Sequence, residues 1–122
     1  MVTPYGGSKG FLHAFMKGVA LEQAPYGVRA NCVCPGTIDT PMLRQAAALA
    51  PVPAEVIDTC IRMHPMGRIG TPEEVANVIA FLASDWASFI TGTSLMVDGG
   101  LLIPTGGMGL QESGLGTAED TK

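Results

Sequence analysis

The chain has 122 residues, enough for one modest domain and no more. With 47% hydrophobic and 15% charged residues it is globular in composition, and its net charge of −4 argues against nucleic acid or an anionic membrane surface as partner. No window approaches the ~18 apolar residues of a membrane span, and Met1-Val2-Thr3-Pro4-Tyr5 lacks the basic and apolar regions of a secretion signal, so a cytoplasmic setting is expected.

The first predicted element is a helix from Ser8 to about Ala24. Leu12, Phe15, Met16 and Val19 follow the i, i+3, i+4, i+7 rule. Gly10 and Gly18 weaken it locally and are expected to permit close packing against a neighbour. At the mouth of this helix stands Tyr5-Gly6-Gly7-Ser8-Lys9. Residues four apart on a helix share a face. A phenol is normally too weak an acid to exchange protons readily at neutral pH, and a neighbouring ammonium favours its ionised form. Tyr5 is therefore a candidate acid/base towards an alcohol or carbonyl oxygen, with Lys9 its activator and a ligand for a ribose hydroxyl. The bland alternative is an ordinary surface pair, since this spacing arises by chance in many helices.

Pro25-Tyr26-Gly27 ends the helix, and Val28 to Cys34 reads as a short strand stopped by Pro35-Gly36. Cys32 and Cys34 alternate on one face of it. Three cysteines make an odd count without metal spacing, so Cys32, Cys34 and Cys60 are expected to be small buried hydrophobes in a reducing compartment. His13 and His64 are far apart and show no ligand pattern; both are read as structural or surface residues, and no metal site is expected.

Thr37 to Gly70 is rich in loops, with prolines at 41, 51, 53 and 65. It holds two weaker helical patterns, Met42 to Leu49 and Ala54 to Met63. A long excursion of this kind suggests a lid or binding segment, here about residues 41–66. Its Met42, Leu43, Leu49, Val52, Val56, Ile57 and Met63 favour a hydrophobic alcohol or ketone over a free sugar. The clearest helix follows at Thr71-Pro72-Glu73-Glu74, with a threonine cap, a proline at the first position and glutamate at the third. A second strand spans Ser94 to Val97, closed by Asp98-Gly99-Gly100. Residues 101–122 carry no period and read as a flexible glycine-rich tail. Gly107-Met108-Gly109 is no phosphate loop, because the third glycine and the flanking strand and helix are missing. Helix, strand, lid, helix, strand indicates an α/β domain over residues 1–100 with two parallel strands.

Ordered motifs now point to a family. They are Tyr5-Gly6-Gly7-Ser8-Lys9, Tyr26-Gly27-Val28-Arg29-Ala30-Asn31, Pro35-Gly36-Thr37-Ile38-Asp39-Thr40-Pro41-Met42, Gly67-Arg68-Ile69-Gly70-Thr71-Pro72-Glu73-Glu74-Val75, Phe81-Leu82-Ala83-Ser84 and Asp98-Gly99-Gly100. In these, residues 5–100 resemble the C-terminal half of a short-chain dehydrogenase/reductase. The resemblance implies the last two strands and flanking helices of a Rossmann-like, doubly wound parallel sheet. It implies an NAD- or NADP-dependent oxidoreductase that interconverts a secondary alcohol and a ketone. Tyr5 would be the acid/base and Lys9 would bind the nicotinamide ribose. Pro35-Gly36 would lie against the nicotinamide, the Ile38 backbone would meet the carboxamide, and the Thr40 hydroxyl would bond the carboxamide or the pyrophosphate. Asn31 and Asp98-Gly99-Gly100 would be structural. A homo-oligomer would form through the 71–84 helix and the 94–100 strand. The family's glycine-rich phosphate loop and its substrate-polarising serine have no counterpart in this sequence, and Ser8 cannot be that serine. The chain is thus expected to be a fragment or truncated form, inactive alone, with an edge of its first strand unpaired. The alternative is a non-catalytic short isoform serving as an oligomerisation module.

Overall fold

Pro4 stands in the first turn of helix α1 (Thr3–Gln23), where the N–H that it lacks would have had no partner. The helix therefore begins at Thr3, not at Ser8, and Tyr5 lies inside it. Gly6-Gly7 does not delay the start, and the Ser8 hydroxyl donates to the Tyr5 carbonyl at 2.7 Å. The computed structural model describes residues 3–103. After α1 come strand β1 (Cys32–Pro35), helices α2 (Pro41–Ala48), α3 (Pro53–Arg62) and α4 (Pro72–Ala83), and strand β2 (Ser94–Val97). The two strands pair in parallel, Cys32 opposite Ser94 through Pro35 opposite Val97. This is the expected α/β arrangement, and among the described residues β1 has β2 as its sole neighbour.

A single turn of 3-10 helix and Gly27, at φ +73°, bring the chain round from α1 to β1. The strand is shorter than Val28–Cys34 because the preceding residues have other work. The Arg29 guanidinium donates to the carbonyls of Leu82 (2.7 Å) and Ser84 (3.1 Å), covering the open C-terminal end of α4. The Asn31 amide replaces a ladder rung: it donates to the Ile90 carbonyl (2.9 Å) and accepts from Thr93 N–H (3.1 Å). Asn31 is thus structural, as expected.

Helix α4 starts as its sequence dictates. Thr71 Oγ accepts from Glu74 N–H, and the Glu74 carboxylate accepts from Thr71 N–H at 2.8 Å. Arg68 grips the same carboxylate with both guanidinium nitrogens, at 2.9 and 2.6 Å. These bonds, Arg68 first, pull the Glu74 carboxyl from 4.5 to about 2. A carboxyl depressed on folding stabilises the fold above its unfolded value and loses that contribution as pH falls towards about 2. Glu74→Gln is therefore expected to flatten the acid limb between pH 4.5 and about 2, read as the difference in thermal unfolding between variant and parent. Because the pair is exposed, the effect is small at neutral pH and shrinks with salt.

The interior is thin. Met16, Ala20, Ala47, Leu82 and Ala87 are the buried apolar residues among those described, while Phe11, Phe15, Leu21, Trp86 and Phe89 stand exposed. Gly10 and Gly18 meet nothing: a Cβ at either would have open space, so the expected close packing is not made within the described residues. The cysteines are free and half-buried rather than buried. Burial, then the neighbouring Cys32, pushes the Cys34 thiol up. Both histidines have partners: His13 bonds Ser94 Oγ at 2.8 Å, and His64 is buried. No described helix is long and apolar enough to cross a membrane, and among the described residues no cluster could hold a metal. Leu101–Ile103 continue as a turn; the expected flexible tail beyond them, with Gly107-Met108-Gly109, lies outside the described residues.

Candidate active site

Tyr5 and Lys9 follow one another by a turn on α1, and the Lys9 ammonium lies 5.4 Å from the centre of the Tyr5 ring. Contacts further along the helix fix where this end points. A Cβ on Gly92, before β2 begins, would sit 3.7 Å from Ala20 Cβ. His13 reaches Ser94 and lies 3.9 Å from Cys34 Sγ. The helix therefore runs antiparallel to the strands, and its earlier residues continue towards their carboxyl ends. At 1.5 Å per residue, Tyr5 stands about 12 Å beyond His13 along the axis. Open α/β sheets bind their ligands at that edge.

The loop leaving β1 reaches the same edge. Gly36 is required there: a Cβ would come within 2.8 Å of His64 Nε2 and 2.9 Å of Asp98 Cα. Gly36 N–H donates to the Val97 carbonyl, holding the turn on β2. The loop then makes one parallel bridge, Ile38 with Gly70. Its bonds run from Gly70 N–H to the Thr37 carbonyl (2.9 Å) and from Asp39 N–H to the Gly70 carbonyl (2.8 Å). In a parallel bridge the central residue's own peptide groups point the other way. Among the described residues, the Ile38 N–H and carbonyl accordingly have no partner. Thr40 caps α2, its oxygen accepting from Leu43 N–H at 3.3 Å, which leaves the hydroxyl proton to donate. The loop also bounds a cavity of about 340 Å³, lined with it by His64, Arg68, Glu74 and Asp98. Neither Tyr5 nor Lys9 lines it.

Pro35, Gly36, Ile38 and Thr40 are thus brought together as one short loop, and Tyr5 with Lys9 as one helical turn aimed at the same edge. Of the two alternatives the sequence leaves for His64, structural or surface, the structure has the first. His64 is 3% exposed, its Nε2 accepts from Thr37 N–H at 3.1 Å, and its Nδ1 meets the Cys60 carbonyl at 2.6 Å. The signal available for it was Gly36, a glycine whose position at a strand end demands that something approach closely. Asp98 behaves as expected of a turn residue, its carboxylate accepting from Gly100 and Leu102 N–H.

The family described as enoyl-(acyl carrier protein) reductase matches residues 1–102. L-fucose dehydrogenase of Oryctolagus cuniculus is 46% identical over 104 residues, which are 85% of this chain and 36% of that protein. The human (3R)-3-hydroxyacyl-CoA dehydrogenase is 44% identical over 101 residues, 83% of this chain and 36% of its own. Among solved structures, ligand-free aldohexose dehydrogenase of Thermoplasma acidophilum superposes with a TM-score of 0.75 at 50% identity, over 81% of this chain and 40% of that one. The chain therefore spans little more than a third of the curated relatives that it matches.

Proposed function

The chain belongs to the short-chain dehydrogenase/reductase family, and we propose that it supplies the acid/base pair and the nicotinamide-facing loop of an NAD(P)-dependent oxidoreductase. The reaction is the interconversion of a secondary alcohol and a ketone. One observation carries the reading: Tyr5 and Lys9 share a helix end that points to the strand edge where Ile38 presents an N–H and a carbonyl without partners among the described residues. A donor and an acceptor on one residue suit a primary carboxamide, which offers one of each. Gly36 keeps side-chain bulk away from a flat ring, and the Thr40 hydroxyl has a proton to give a carboxamide or pyrophosphate oxygen. The nicotinamide, when bound, accepts or donates the hydride.

The protein's part is proton handling and placement. During oxidation Tyr5 Oη takes the proton of the substrate hydroxyl; during reduction it returns one to the carbonyl oxygen. The Lys9 ammonium beside the ring holds a ribose hydroxyl. Helices α2 and α3 form the lid over the substrate. Met42, Leu49 and Met63 are exposed on it, which favours an apolar substrate. Val56, Ile57, Cys60 and Ile61 of α3 are partly covered within the fold and argue for packing instead. The rest of the family's domain, with its phosphate loop and serine, completes the site, and the exposed Phe11, Phe15 and Leu21 of α1 provide apolar surface for it to cover.

A second reading is a non-catalytic oligomerisation module, favoured by the exposed Ile79, Phe81, Trp86 and Phe89 on and after α4. One assay separates the two. Residues 1–122 are joined to the part of the Thermoplasma acidophilum aldohexose dehydrogenase that they do not match, giving a completed enzyme. This enzyme is expected to reduce NAD or NADP with a panel of secondary alcohols, read by the absorbance of the reduced nicotinamide. No turnover in a well-folded completed enzyme, together with a defined oligomer of the chain alone by sedimentation, would favour the module.

A further inference from the structure

His64 is the buried polar residue of the described chain, and it belongs to no element of the chemistry above. It follows lid helix α3 by a turn, held by its own N–H on the Ile61 carbonyl (3.0 Å). Its ring reaches out of the lid to the loop after β1. Two segments converge on it, the loop after β1 and the turn after β2. Gly36 leaves no room for a methyl group against Nε2, a Cβ on Gly99 would lie 3.5 Å from Cδ2, and Thr37 N–H donates to Nε2.

The partners decide where the proton sits. A backbone N–H only donates, so Nε2 must carry a lone pair; a carbonyl only accepts, so Nδ1 must carry the hydrogen. The ring is therefore the neutral Nδ1–H tautomer. Thr37 is then held from both sides, its N–H by the lid's histidine and its carbonyl by Gly70 N–H. Ile38 is the next residue. The Gly70 bonds orient the peptide planes on either side of Ile38 and turn its own groups outward, while His64 holds the plane before them, Gly36–Thr37, so the backbone that carries Ile38 is pinned on both sides of Thr37.

We propose that His64 is the positioning residue for the dinucleotide loop: as a neutral Nδ1–H imidazole it ties the carboxyl end of lid helix α3 to Thr37 and so fixes the Ile38 peptide groups for the carboxamide. The inference rests on the functional reading of that loop. It couples the lid to the loop through a single acceptor atom.

The test has two arms. The full chain contains two histidines, so ¹⁵N-histidine labelling yields two imidazoles, separated by a His13→Gln variant. His64 is expected as the Nδ1–H tautomer at neutral pH; an Nε2–H tautomer or an imidazolium overturns the proposal, and no substitution of His64 is needed to learn this. In the completed enzyme, His64→Gln places a carbonyl oxygen near the site of Nε2, whereas His64→Asn reaches only the site of Nδ1. The expected result is a KM for dinucleotide raised roughly tenfold in His64→Asn and restored towards the parent in His64→Gln, with kcat little changed. A residue that merely fills space gives equal KM values for the two variants, and that result overturns the inference alone. A parent enzyme that binds no dinucleotide overturns the reading of the loop instead.

Discussion

Tyr5→Phe in the completed enzyme is expected to lower kcat about 10³-fold or more while leaving dinucleotide affinity and thermal unfolding unchanged. The split follows from the structure. The phenol is 65% exposed, so deleting its hydroxyl removes no packing and opens no cavity. The phenyl ring keeps its place over the Lys9 ammonium at 5.4 Å, so the local geometry of the turn survives. What disappears is the oxygen that, in the proposed mechanism, would hold the substrate proton. Loss of a proton relay appears in the chemical step, not in ground-state binding, and it is not compensated by water held at random. Lys9→Met complements it: the cation is lost, the aliphatic stem stays, and both kcat and dinucleotide binding fall. A Tyr5→Phe enzyme that retains kcat within about tenfold of the parent would remove Tyr5 from the acid/base role.

Local rules explain what the sequence disclosed about the fold. Helix α4 was legible because its start is written in four consecutive residues, Thr71 to Glu74: Thr71 and Glu74 each accept from the other's backbone N–H, and Pro72 has no N–H to satisfy. Strand β2 was legible because Thr91-Gly92 and Asp98-Gly99-Gly100 bracket an apolar run, and its bounds, Ser94–Val97, are those expected. The start of α1 was misread because two glycines carry a poor helix propensity, whereas Pro4 in the first turn outweighs them. Strand β1 was read too long. Arg29 and Asn31 look like strand residues in a row, but their side chains serve the end of α4 and the turn before β2, more than fifty positions away. His64 and Thr37 were invisible as a pair for the same reason: 27 positions separate them, and no spacing rule connects the end of α3 to a strand-end loop. For the candidate site, the residue types were legible and their arrangement was not. That Ile38 has free peptide groups depends on the bridge to Gly70, a contact between two loops.

In the proposed function this chain holds the proton-transfer and carboxamide ends of a dinucleotide site whose phosphate end lies in the remainder of the family's domain. The phosphates carry most of the charge of NAD or NADP, and a glycine-rich turn at a helix N-terminus is what the family uses to hold them. Among the described residues, the loop around Ile38 offers a few neutral hydrogen bonds, each contributing about 1 kcal/mol. Such a sum falls short of the several kcal/mol that even millimolar affinity requires once the entropy of association is set against it. The decisive measurement is a pair of calorimetric titrations with NADH and NADPH, one into the 122-residue chain and one into the completed enzyme. The expected result is no saturable binding to the chain up to millimolar dinucleotide, and micromolar binding of at least one dinucleotide to the completed enzyme. Saturable micromolar binding to the chain alone would contradict it, because the contacts around Tyr5, Lys9, Ile38 and Thr40 would then suffice without the phosphate loop.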